Sequence, residues 1–113
     1  MMPLHKGKWA EDAALYFYKE HGYRLIGRNI RAYGGEIDLA FEKNGKVVLV
    51  EVKQRKHSLE DALLAVSPSK KRRILRVWYQ KADKYYHFPI EFHVCAVVGE
   101  KDNFSISIFK EEL

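Results

Sequence analysis

The sequence holds one cysteine, Cys95, among 113 residues. A single thiol excludes an internal disulfide and the zinc frameworks built on paired cysteines. Cys95 falls in an apolar run, where an inert buried thiol is expected. No stretch approaches the roughly 18 apolar residues of a membrane span, and the N-terminus lacks a signal-peptide h-region. A cytoplasmic protein without a membrane partner is the expectation. Neither GxxxxGK[ST] nor GxGxxG accompanies Gly34-Gly35, which leaves that pair as a turn. His5, His21, His57 and His87 show no spacing that suggests a ligand set. Repeats and linkers are also missing. At this length the chain 1–113 is expected to form one domain around one core, with no room for a separate recognition module.

What is present is apolar enough to fold, with 47% hydrophobic and 13% aromatic residues. The net charge of +5 favours an anionic partner, and it is unevenly spread. Residues 67–89 carry seven basic side chains against Asp83 alone, whereas residues 90–113 carry two against five acidic ones.

Periodicity predicts a helix over 8–21, with Ala10, Ala13, Ala14 and Phe17 on one stripe and Gly22 at the C-terminal cap. A strand is predicted over 23–31. Strands 36–42 and 47–53 flank Asn44-Gly45, the preferred pair for a type I′ hairpin turn. Residues 59–66 read as a helical turn or a loop. Ser67-Pro68 reads as an N-cap followed by proline at the first helical position. That helix is predicted to run to about Tyr86, with Ile74, Val77 or Trp78, Ala82 and Tyr85 toward the core. Strands follow over 90–98 and, at an edge, 104–109.

The two-residue turn fixes a register. Lys43 opposes Lys46, Asp38 opposes Glu51, and Glu36 opposes Lys53. Period-two alternation then sets Glu36, Asp38, Glu51 and Lys53 on one face and Ile37, Leu39, Phe41, Val48, Val50 and Val52 on the other. Directly opposed residues have Cβ atoms roughly 5 Å apart, so Asp38 and Glu51 would repel. Mg²⁺ or Mn²⁺, which favour carboxylate oxygens, would relieve that repulsion. Lys53 beside the ion would serve water, phosphate or developing negative charge, as phosphodiester hydrolysis requires. The competing reading is a solvent-facing hairpin side on which Glu36–Lys53 is an ordinary salt bridge worth under about 1 kcal/mol. Against it, Val47 and Leu49 share the charged face, and acid opposite acid is a poor choice for a purely structural surface.

Gly35-Glu36-Ile37-Asp38-Leu39 and Val50-Glu51-Val52-Lys53-Gln54-Arg55 resemble the YraN-like family of small bacterial proteins. That family is placed with the restriction-endonuclease-like superfamily, whose motif is an Asp on one strand and (Asp/Glu)-x-Lys on the next. Asp38, Glu51 and Lys53 fit it. Lys6-Gly7-Lys8-Trp9-Ala10-Glu11-Asp12-Ala13-Ala14, Gly22-Tyr23-Arg24, Arg28-Asn29, Pro68-Ser69-Lys70 and Arg73-Ile74 extend the resemblance over nearly the whole chain. It implies an α/β (α+β) fold with an αβββαβ core and a mixed central sheet flanked by helices. It implies a metal-dependent nuclease acting on nucleic acid, DNA first, with branched or junction structures as candidate substrates. Resemblance to junction resolvases gives Glu11 a catalytic place near the metal, the alternative being a first-turn glutamate that stabilises the helix. The same analogy suggests a homodimer. One departure is His93, where the family usually has an acid.

The basic helix supplies candidate nucleic-acid contacts in Lys70, Lys71 and Arg73, with Arg55 nearby; the bland reading is a solvated helix face. Catalytic candidates are thus Asp38, Glu51, Lys53 and Glu11, and metal candidates are Asp38, Glu51 and Glu36. Trp9, Trp78 and the tyrosines offer rings for base stacking, although helical spacing assigns Trp78 to the core. The alternative function is a nucleic-acid-binding protein of nuclease fold that cleaves nothing. A third is a protein-interaction adaptor using Glu111-Glu112.

Overall fold

The computed structural model describes residues 8–60 and 66–111. His5, Lys6, Gly7, Glu112 and most of the segment 59–66 lie outside them. Helix α1 (Trp9–Glu20) is followed by strands β1 (Arg24–Ala32), β2 (Gly35–Lys43) and β3 (Lys46–Arg55). Helix α2 (Pro68–Lys81) then leads to β4 (Ile90–Glu100) and β5 (Asn103–Glu111). The order of one helix, three strands, one helix and two strands is the predicted one. The five strands form one sheet in the order β1-β2-β3-β4-β5. β3 and β4 run parallel, and the other neighbours are antiparallel. The sheet is therefore mixed, with α2 inside the crossover that a parallel pair requires.

Local chemistry sets the boundaries. Gly22 takes φ 87° just after α1, a left-handed value that ends the helix without a side-chain clash. Ser67 caps α2, its hydroxyl accepting a bond from Lys70 N at 3.1 Å, with Pro68 in the first turn. The helix was predicted to reach about Tyr86, but its α-helical part stops at Lys81. Asp83 adopts φ 50° there, and Asp83–Tyr85 continue as a 3-10 turn. The turn lets Tyr85 pack on Trp78 and Phe88, at ring separations of 6.4 and 5.2 Å.

Each sheet face has its own core. Ala14, Leu15 and Tyr18 of α1 pack on Leu39, Phe41, Val48, Val50, Cys95 and Val97, with Phe104, Ile106 and Ile108 of β5 alongside. On the other face Ile74, Val77, Trp78 and Ala82 pack on Ile37, Ala40, Val47, Leu49 and Phe92. Val77 and Trp78 are both fully buried, so α2 uses the two positions offered as alternatives. Val47 and Leu49 are buried as well, which disposes of a solvent-facing hairpin side.

Candidate functional site at the parting of two strands

The β2–β3 register runs as predicted from Lys43↔Lys46 to Leu39↔Val50 and then stops. The expected pairs Asp38–Glu51 and Glu36–Lys53 do not continue the ladder. Instead Asp38 Oδ2 accepts the Val52 amide at 2.8 Å. A side chain has taken a bond that backbone would otherwise supply. On its other side β2 pairs with β1 through Arg28↔Leu39 and Ile30↔Ile37, stepping over Asn29 and Asp38. Asn29 has φ 51°. This irregularity breaks the alternation: Ile37 packs against α2 with Ala40, whereas Leu39 and Phe41 pack against α1. The single co-facial row expected of β2 is thus corrected. Glu51 and Lys53 lie on the α2 side, while Asp38 sits where the strands part, open to both sides.

Two cavities meet at Asp38. The smaller, about 200 Å³, lies on the α2 side and is lined by Glu36, Asp38, Glu51, Lys70 and Arg73. The larger, about 560 Å³, lies on the α1 side and is lined by Lys8, Trp9, Glu11, Asp38, Gln54 and Lys101 among others. Burial pushes the Asp38 carboxyl up to about 6, and the nearby Glu51 charge adds to the rise against the opposing Val52 hydrogen bond. Asp38 is therefore harder to ionise than a free carboxylate. Glu51 is 7% exposed and compensated, with Lys70 Nζ at 2.5 Å and Lys53 Nζ at 3.4 Å from its Oε1. The N-cap bond of Ser67 fixes the backbone of Lys70, from which the side chain reaches the carboxylate.

The other site candidates are distributed differently. Glu11 receives Arg28 Nε at 2.7 Å, and the same guanidinium binds the buried Asp12. Glu11 still lines the larger cavity, and its charge contributes to the raised Asp38 pKa. Glu36 pairs with Arg31 at 3.2 Å, its register partner on β1, and not with Lys53. Arg73 joins Lys70 in the smaller cavity. Lys71 turns toward Glu111 of β5, 3.5 Å away, which also engages the acid of the adaptor reading. Arg55 ends β3 and donates to the Gln54 carbonyl at 2.8 Å. His93 lies one register step from Glu51 but on the α1 face, buried between the Tyr18 hydroxyl (2.8 Å) and Glu91 (3.2 Å). Burial lowers its pKa despite Glu91. Position 93 thus serves the α1-side core, away from the cavity that holds Glu51.

Among the described residues no three His, Cys, Asp or Glu side chains form a ready cation cage. Asp38 and Glu51 nevertheless suit a hydrated Mg²⁺ or Mn²⁺. Mg²⁺ commonly retains several waters and binds through one or two carboxylates, and Asp38 keeps a second oxygen beside the one that accepts the Val52 amide. Sequence reasoning missed Arg28, Gln54 and Lys101. Arg28 and Gln54 fall inside the family-like segments without a role of their own there, Lys101 falls in none, and the fold brings all three to the site.

Sheet order, parted strands and an acid pair ringed by lysines define a small α+β protein with a polar cleft at its central hairpin. The chain belongs to the uncharacterised protein family UPF0102, whose model matches residues 10–97. A UPF0102 protein of Thermus thermophilus is 50% identical over 72 residues, covering 63% of this chain and 64% of that protein. The chain thus spans just under two thirds of that relative's length. A UPF0102 protein of Bacteroides thetaiotaomicron is 36% identical over 111 residues, covering 93% and 88%. Among solved structures, a repair endonuclease from Pyrococcus abyssi superposes with a TM-score of 0.49 at 22% identity, over 86% of this chain and 41% of that one. No helix among the described residues is long and apolar enough to cross a membrane.

Proposed function

We propose that the protein is a divalent-cation-dependent nuclease that hydrolyses phosphodiester bonds, DNA being the first substrate to test. The observation that carries this reading is the buried Glu51 and half-buried Asp38 set where β2 and β3 separate, bordered by Lys53, Lys70 and Arg73. Asp38 and Glu51 would hold Mg²⁺ or Mn²⁺. Such an ion supplies Lewis acidity at the phosphoryl oxygen and easier deprotonation of water. Lys53, fixed by Glu51, orients the attacking water or holds the scissile phosphate. Arg73 and the capped start of α2 grip the neighbouring backbone, where the helix N-terminus favours anions.

The second reading is a nucleic-acid-binding protein that does not cleave. It is favoured by one contact: Lys70 already compensates Glu51 without a metal. Mg²⁺- and Mn²⁺-dependent cleavage assayed on duplex, flap and junction DNA and on RNA separates the two. The nuclease reading expects cleavage that Glu51→Gln and Lys53→Ala each reduce by about 10²-fold or more. Activity unchanged in both variants would sink it. Salt-sensitive binding without cleavage in the unaltered protein would select the second reading.

A further inference from the structure

The nuclease reading uses the smaller cavity and leaves the larger one, behind Asp38, without a role. We infer that this 560 Å³ cavity receives one unpaired nucleotide of the substrate, next to the phosphodiester presented at Asp38. The position of that phosphodiester rests on the nuclease reading; the nucleotide site itself rests on the cavity. Its volume lies within the roughly 300–1,000 Å³ of pockets that enclose a small organic ligand. Trp9, at the start of α1, is a half-buried aromatic in its wall and is braced by Phe104 at a ring separation of 5.3 Å. Lys8 and Lys101 bring two cations from opposite ends of the chain. Of the two acids in the wall, Glu11 is held by Arg28, a guanidinium it shares with the buried Asp12. The wall therefore combines an aromatic ring for a base with cations for its phosphate.

The geometry discriminates among nucleic acids. A base inside a continuous duplex is stacked above and below and hydrogen-bonded at its edge, and offers no ring face to Trp9. An unpaired nucleotide offers one without an unstacking penalty. Since Asp38 walls both cavities, a strand whose unpaired nucleotide fills the larger one carries its next phosphate toward Glu51, Lys70 and Arg73. The favoured substrates are single strands, flaps and gapped or branched structures.

Intrinsic fluorescence tests this in EDTA, where nothing is cleaved. The chain has two tryptophans, and Trp78 is fully buried in the core under α2. A change on titration with a short single-stranded oligothymidylate therefore reports Trp9. Quenching is expected with the single strand and little change with a blunt duplex. Trp9→Phe, which keeps a ring against Phe104, should abolish the quench. It should also weaken single-strand binding about tenfold and leave duplex binding within about twofold. Wild-type emission unchanged at saturating oligothymidylate would overturn the inference without any variant. Equal loss of single-strand and duplex binding in a folded Trp9→Phe would overturn it too. A quench that persists while no substrate is cleaved keeps the nucleotide site and removes the nuclease. Cleavage lost in Glu51→Gln with no quench at Trp9 does the reverse.

Discussion

Lys70 Nζ lies 2.5 Å from Glu51 Oε1, an oxygen that Lys53 Nζ also approaches, at 3.4 Å. The two lysines respond oppositely. For Lys70, burial disfavours the charge but the bond to Glu51 outweighs it, and its pKa is raised. For Lys53, burial together with the charge of Lys70 outweighs the attraction of Glu51, and its pKa is lowered. Lys70 is thus the principal counter-ion of Glu51 and occupies an oxygen that a metal would need.

Lys70→Met is accordingly expected to tighten Mg²⁺ or Mn²⁺ binding, by about 1 kcal/mol or fivefold, because a partly exposed counter-ion no longer competes. Titration calorimetry with the ion alone measures this. Affinity unchanged or weakened in a folded variant would show that Lys70 and the cation do not compete.

Asp38 is expected to limit stability. Its folded pKa of about 6 lies above the ordinary carboxylate value, so the protonated form is favoured by folding. The associated stability is complete below about pH 4 and is lost as pH rises through 6. In EDTA, Asp38→Asn should therefore stabilise the protein by roughly 1–3 kcal/mol above pH 7 and change little near pH 4. Its amide oxygen still accepts the Val52 N–H. Thermal melts across that range check the sign, and a variant destabilised at pH 7 would contradict it.

Glu91 works in the opposite direction. Hydrogen bonds from Lys46, and then from Lys110 and His93, outweigh burial and hold its carboxyl down at about 2. Its contribution is present above the ordinary carboxylate range and fades as pH falls toward 2. Glu91→Gln should lower Tm at pH 7 by on the order of 2–4 °C, as suits a largely solvated cluster, and the gap should close near pH 2. A pH-independent gap would point to lost packing instead.

Much of this was legible in the chain. Asn44-Gly45 set the β2–β3 register as far as Leu39↔Val50, and Ser67-Pro68 placed the start of α2. The break at Asp38 was not legible. It depends on Asn29 of β1 adopting a left-handed backbone and on a carboxylate replacing a ladder partner. Both are tertiary events that two-residue alternation does not encode. For the same reason Ile37 was expected to share a face with Leu39 and Phe41, which it does not. Glu11 and Glu36 looked available as ligands because Arg28 and Arg31 reach them across elements, a contact invisible to spacing within one strand. Lys70 was legible as a cation, but its partner was not.

The sheet repeats the order of the chain, and this bears on how the molecule assembles. β1–β2, β2–β3 and β4–β5 each close through two residues, whereas β3–β4 awaits the crossover that carries α2. Short closures cost little entropy and form early, and the long parallel pairing forms late. Asp38, Glu51 and Lys53 all belong to an early hairpin. Lys70 arrives with the late piece. The topology thus places the acid pair on elements joined by short closures and its main counter-ion on the long crossover.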